Sequence, residues 1–193
     1  MARQKEFERE EVLEKALEVF WCKGYNATSF QTLTEGMSIN RQSIYDTYGD
    51  KHTLFIKALE SYQRENSGQV CNIINADLPS KEVVRRLLEM IIGELTSDRS
   101  HKGCFMVNAE VEVAPHDPEV SKLICANDQQ VEDAFYLVIK KGQENGEIKN
   151  TEDARALARF TFNTVKGLRV TAKSTNDKAI FEDIIKMALS VLD

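Results

Sequence analysis

An all-α fold is the expectation for this chain, and three features of its sequence carry that expectation. Only three prolines and nine glycines occur in 193 residues, so few positions interrupt a helix. Runs that alternate polar and β-branched residues are scarce. Apolar residues instead recur at helical spacing, beginning with Leu13, Ala16, Leu17, Phe20 and Trp21.

Each helix can be placed in turn. The first stripe closes at Lys23-Gly24, where glycine suits the left-handed position after a helix end. Thr28 followed by Gln31 has the form of a capping box, so a second helix is expected from there to about Met37, with Phe30 and Leu33 as its apolar face. Residues 38 and 39 make a corner, and Asn40 is a good N-cap for a third helix ending near Tyr48. Gly49 stops it, and Asp50 caps a long fourth helix running from Lys51 to about Ala76. "DLPSKE" breaks the chain before a fifth helix. "GCFMVNAEVEVA" is expected to be a buried helix, and Asp117-Pro118 starts the next, reaching Asn145-Gly146. Two amphipathic helices fit 151 to about 173 and 177 to 192. The total is about nine helices, with a change of character near residue 50.

Composition narrows the function. With 42% hydrophobic and 29% charged residues the chain reads as globular. The apolar runs are too short to span a bilayer. The charged start "MARQKEFEREEV" lacks the apolar segment of a signal peptide, so a cytoplasmic location is expected. Cys22, Cys71, Cys104 and Cys125 lie far apart, without metal-ligand spacing, and most are expected to be reduced and buried. His101 and His116 read as surface loop residues. No nucleophile–base motif, phosphate loop or metal signature occurs, so neither an enzyme nor a cofactor or metal site is expected. The net charge of −6 argues against a general nucleic-acid coat, but leaves room for a local DNA-reading surface.

The stretch from 28 to 51 is the chemically distinctive one. Two short helices meet at a sharp corner, and the second, "RQSIYDTY", is polar and aromatic. That is the form of a helix-turn-helix. Ile44, with Ile39 and part of Tyr48, can plug into the preceding helices, which turns Arg41, Gln42 and Tyr45 outward. Arg41 can pair bidentately with guanine and Gln42 with adenine, and Tyr45 can meet a thymine methyl or a phosphate. Thr28, Ser43, Thr47 and Lys51 offer phosphate donors. The N-termini of the second and fourth helices could add backbone N–H groups, and Arg3 with Lys5 a basic arm. The competing reading is a helical module that uses the 38–51 surface to bind a protein. Steep loss of affinity with salt separates the two.

The segment "GYNATSFQTLTEGMSINRQSIYDTYGDKHTL", from Gly24 to Leu54, resembles the N-terminal DNA-binding domain of the TetR family of bacterial transcriptional regulators. The shared features are the glycine-aromatic pair, Thr-Ser opening the second helix, Ile44-Tyr45, Tyr48 three residues on, and "GDK" before a leucine-bearing helix. Ser38 departs from the pattern, standing where the family usually has glycine. The resemblance implies a helix-turn-helix DNA-binding domain over 1–50 and a helical effector-binding and dimerisation domain over 51–193. It implies that Arg41, Gln42 and Tyr45 read bases while Thr28, Ser43, Thr47 and Lys51 hold the backbone. The expected partners are a palindromic double-stranded DNA operator, a small-molecule effector and a second copy of the chain, and the usual mode is repression. A homodimer would join through the last two helices, where Leu157, Phe160, Thr164, Gly167 and Leu168, and then Ile180, Ile184, Met187 and Val191, lie at helical spacing. For the effector, Cys104, Phe105, Met106, Asn108 and Glu110, with Phe135 and Phe162 as aromatic walls, are the lining candidates.

Overall fold

The computed structural model describes residues 2–95 and 102–193; of residues 2–8, 66, 69, 91, 92, 94 and 95 it describes the backbone alone. His101 and the side chains of Arg3 and Lys5 therefore lie outside the described residues. The helices are α1 (Ala2–Lys23), α2 (Phe30–Met37), α3 (Arg41–Tyr48), α4 (Lys51–Ile74), α5 (Ser80–Leu95), α6 (Phe105–Glu112), α7 (Pro118–Glu144), α8 (Ala154–Thr171) and α9 (Lys178–Ser190). Among the described residues these nine helices are the regular structure, and no strand occurs. None is long and apolar enough to cross a membrane among the described residues.

Contacts divide the chain into two units. One comprises residues up to Asn66 with Asn108–Ile124, the other Ser67–Val107 with Cys125–Asp193. In the first, α1 supplies Ala16, Leu17 and Phe20, α2 supplies Leu33 and Met37, and α3 supplies Ile44 and Tyr48 to a core completed by Leu54, Phe55, Ala58, Leu59 and Tyr62 of α4. Ile44 is wholly buried, a contribution of about 1.5–3 kcal/mol for a side chain of that size. Aromatic edges join the helices: Phe20 meets Phe55 at 5.1 Å and Trp21 meets Tyr62 at 5.1 Å. Gly36 lets α1 and α2 approach closely, since a Cβ there would lie 2.3 Å from Val19 Cγ2.

Helix ends follow local side-chain chemistry. Gly24 ends α1 at φ +81 with its N–H on Phe20 O, as its position after Lys23 implied. Asn40 caps α3 by accepting from Ser43 N–H, and Asp50 accepts from Thr53 N–H. The cap of α2 is Ser29 rather than Thr28: extended at φ −91, it accepts from Thr32 N–H. Thr28 is unavailable because it is buried and its hydroxyl donates to Gly24 O at 2.6 Å.

The second unit is built on α5, α7, α8 and α9. Its core includes Val84, Leu88, Ile139, Ala158, Val165, Leu168, Phe181 and Leu189. Leu157 and Leu168, expected on an outward stripe of α8, belong to this core. On α8, Phe160 at 49% exposure, Gly167 with space around it and Val170 are open, beside exposed Ala156, Arg159 and Asn163. On α9, Ile180 and Met187 are open, the latter at 65%. A further correction concerns the cysteines: Cys104 is buried, but Cys22, Cys71 and Cys125 are exposed. Helical phase decides this, because Cys22 and Cys125 follow or neighbour inward residues (Phe20 and Ile124) and so face away from the core.

Candidate DNA-reading site

Helix α3 presents two faces of opposite character. Ile44 and Tyr48 point inward, and the Tyr48 hydroxyl donates to Arg9 O of α1 at 2.6 Å, which ties the short helix down at its far end. Burial pushes the Tyr48 phenol above its ordinary value, so it stays a donor. Arg41, Gln42 and Asp46 are exposed, Tyr45 is 40% exposed, and Ser43 and Thr47 are half-buried at the flanks. Tyr45 stands outside the core, and no acid among the described residues pairs with Arg41.

The outward residues are ordered among themselves. The Arg41 guanidinium donates to Tyr45 Oη at 3.3 Å and lies over the Phe30 and Tyr45 rings at 4.8 and 5.6 Å. Gln42 donates to Asp46 Oδ1 at 2.8 Å across one helical turn. That contact aims the amide and moderates the negative charge that Asp46 brings to the surface.

The corner before α3 turns on Ser38, the one non-glycine residue with positive φ among the described residues, at φ 57 and ψ 35. This is left-handed backbone, so serine fulfils the turn for which glycine is better suited.

Thr28 and Lys51 are placed differently from the outward set. Lys51 Nζ donates inward to Tyr25 O at 3.0 Å and Thr28 O at 2.9 Å, and sits 4.2 Å from the Tyr25 ring. Burial lowers its pKa, against the opposing pull of the Glu112 carboxylate. The other side of the same loop is held by Glu112 of α6, which accepts from Tyr25 N–H at 3.1 Å and Asn26 N–H at 2.8 Å. A lysine on the carbonyls and a carboxylate on the amides thus fix the Gly24–Thr28 loop from both polarities. At the start of α7, Asp117 accepts from Val120 and Glu119 N–H and contacts His52 Nε2 at 2.7 Å. Neither Glu112 nor Asp117 contacts could be read from sequence, since the pairs lie 65 to 87 residues apart and leave no periodic trace. At the N-terminus of α4 the Asp50 carboxylate already occupies a free N–H, which disfavours an anion there.

The residues expected to line an effector site fall as follows. In the second unit Cys104, Phe105 and Met106 are buried, and Phe135 and Phe162 belong to its core cluster. In the first unit Asn108 and Glu110 are half-buried. A cavity of about 370 Å³ opens in the second unit between α5 and α9, bordered by Lys81, Arg85, Glu182, Ile185, Lys186 and Leu189; none of the expected lining residues borders it.

A polar reading helix seated on a three-helix head, followed by a helical unit, defines a helix-turn-helix protein of the transcription-factor class. Comparison with known proteins narrows the class. Residues 12–58 match the family described as bacterial regulatory proteins, tetR family, and residues 80–188 match the tetracyclin repressor-like C-terminal domain. The chain is 37% identical over 194 residues to the helix-turn-helix-type transcriptional regulator YezE of Bacillus subtilis, covering 100% of both. It is 25% identical to the transcriptional repressor ComR of Escherichia coli, over 98% of this chain and 90% of that one. Among solved structures, a cysteine mutant of the TetR-family regulator CifR, complexed with 26-bp double-strand operator DNA, superposes with a TM-score of 0.86 at 27% identity, covering 95% of this chain and 96% of that one. The chain belongs to the TetR family of bacterial transcriptional regulators.

Proposed function

We propose that this regulator is a repressor that binds a palindromic operator as a homodimer in the cytoplasm, has no catalytic activity, and is released by a small-molecule effector. The carrying observation is the split of α3 into a buried anchor, Ile44 and Tyr48, and an outward set, Arg41, Gln42 and Tyr45. Arg41 has the donors for guanine O6 and N7, Gln42 the donor–acceptor pair for adenine, and Tyr45 an edge for a thymine methyl or a phosphate. Ser43 and Thr47 flank them as phosphate donors. Thr28 and Lys51 act one step back, fixing the loop that seats α2. The relatives ComR, a repressor, and CifR, seen on operator DNA, support the reading.

Residues 1–50 form the DNA-binding domain on this proposal, and 51–193 the effector-binding and dimerisation domain. A dimer follows from geometry: one short helix reads few base pairs, whereas two about 34–36 Å apart read successive major grooves. The open stripes Phe160, Gly167 and Val170 on α8 and Ile180 and Met187 on α9 are the surface for the second copy. Cys104, Phe105, Met106, Asn108, Glu110, Phe135 and Phe162 are the proposed effector contacts. The effector acts by preferring the conformation in which the two heads do not match the operator, and α4, one continuous helix from Lys51 to Ile74, carries the shift.

Selection of bound sites from random duplex DNA tests the proposal. A palindromic consensus is the expected result; enrichment of no sequence, or binding that does not weaken with salt, would overturn it.

A further inference from the structure

Phe30 lies on α2, outside the reading helix, and is half-exposed at the surface that α3 presents. Its ring stacks on Tyr45 with centroids 4.8 Å apart and planes 19° apart. The Arg41 guanidinium lies 4.8 Å from the centre of the same ring, closer than its 5.6 Å to Tyr45. The Arg41–Tyr45 hydrogen bond at 3.3 Å closes the triangle. Each member of the trio therefore touches the other two.

We propose that Phe30 is a positioning residue for base readout: its ring holds Arg41 and Tyr45 in the arrangement that meets the duplex. The inference rests on the DNA-reading function proposed above and adds a residue of another helix to it. Arginine has among the most rotamer freedom of any side chain, and a free one must be ordered at the moment of binding. Stacking of the guanidinium plane on an aromatic face fixes that plane while leaving the forked N–H edge open. A planar donor set presented edge-on is what guanine O6 and N7 require. The ring also supports Tyr45 from α2, so the angle between α2 and α3 is transmitted to both readers. Leucine at position 30 would fill similar space but offer no π face, and tyrosine would keep the face.

The test compares wild type, Phe30→Leu, Phe30→Tyr, Arg41→Ala and the Phe30→Leu/Arg41→Ala double variant on the operator selected above and on duplexes changed at each base. Phe30→Leu is expected to weaken operator binding about five- to tenfold, the size of a lost cation–π and ring-stacking contact. It should flatten preference at the base position that Arg41→Ala also flattens, and Phe30→Tyr should restore both. The double variant should lose less than the product of the two single losses, since the Arg41 share of the Phe30 effect is already gone. Ring-current upfield shifts of the Arg41 side-chain protons, read by NMR on the free protein, should be of equal size in wild type and Phe30→Tyr and smaller in Phe30→Leu, where only the more distant Tyr45 ring remains. Losses that multiply in the double variant, a Phe30→Leu effect that spares the base position of Arg41, or wild-type selectivity in Phe30→Leu would overturn the positioning role. If wild type selects no duplex sequence while the ring-current shifts are present, the DNA-reading function itself falls and this role with it.

Discussion

Glu112 accepts the backbone N–H of Asn26 at 2.8 Å, linking the end of α6 to the loop between α1 and α2. Tyr25 N–H gives the same carboxylate a second bond, and Gly24 lies so close that a Cβ there would stand 2.7 Å from Glu112 Oε2. Replacing Glu112 by alanine leaves two amides without their acceptor. Such bonds to a charged group are worth about 1.5–3 kcal/mol, so Glu112→Ala should lower the free energy of unfolding by about 2 kcal/mol in urea titration. An unchanged midpoint would mean that water replaces the clamp at no loss.

Ser38 holds left-handed backbone at φ 57. A residue with a Cβ is disfavoured there by about 1–2 kcal/mol, part of which the extra chain entropy of glycine would offset. Ser38→Gly should therefore stabilise the head by about 0.5–1 kcal/mol, while Ser38→Val, β-branched, should destabilise it by more than that. Thermal melting of both variants beside wild type decides the sign.

Asp50 and Asp117 both have carboxyls held below the ordinary value of 3.8, Asp50 chiefly by Thr53 N–H and Asp117 chiefly by Val120 N–H. A carboxyl with a lower pKa in the folded state binds fewer protons than in the unfolded chain. Its stabilisation is complete above pH 3.8 and disappears as pH falls through the folded value. Melting temperature should thus drop steeply below about pH 4, and the double variant Asp50→Asn/Asp117→Asn should show a shallower fall. Equal acid slopes would remove these two caps from the account.

Arg41 and Thr28 should separate cleanly in binding and stability. Arg41→Ala should cost roughly 1–3 kcal/mol of operator binding and blur selection at one base. Thr28→Val removes a buried hydroxyl bond to Gly24 O, so it should lower stability by about 1 kcal/mol and leave base preference as it was. Site selection and urea denaturation on the same two variants measure both quantities.

A charge on the open stripes should disrupt association of the two copies. Phe160→Glu or Met187→Glu would place a carboxylate in an apolar contact, a change of about 2–4 kcal/mol for a central interface position. Sedimentation equilibrium should show the monomer fraction rise at micromolar concentration. Wild-type behaviour in both variants would move the interface elsewhere.

Much of the fold was legible because it is written locally. Gly24, Asn40, Gly49 and Asp50 mark helix ends through their own backbone and side-chain chemistry, and Ile44 is assigned inward by periodicity alone. The α2 cap slipped by one residue because Thr28 and Ser29 are equivalent caps on paper; only packing shows that Thr28 is already bonded to Gly24. Lys51 likewise looks like a phosphate ligand until the Tyr25 and Thr28 carbonyls are brought to it by folding. The cysteines were misjudged for a related reason, since residue type sets a tendency to burial but helical phase sets the outcome. On α8 the same phase error placed Leu157 and Leu168 outward. Phe30 was legible only as an apolar residue of α2, because its partners sit on another helix.

Helices α2 and α3 together carry one cation, Arg41, beside Glu35 and Asp46, and the neighbouring Lys51 faces inward. These two helices therefore displace few condensed ions from DNA, and their hold on arbitrary sequence is weak. Discrimination by these two helices should then come from base fit more than from charge.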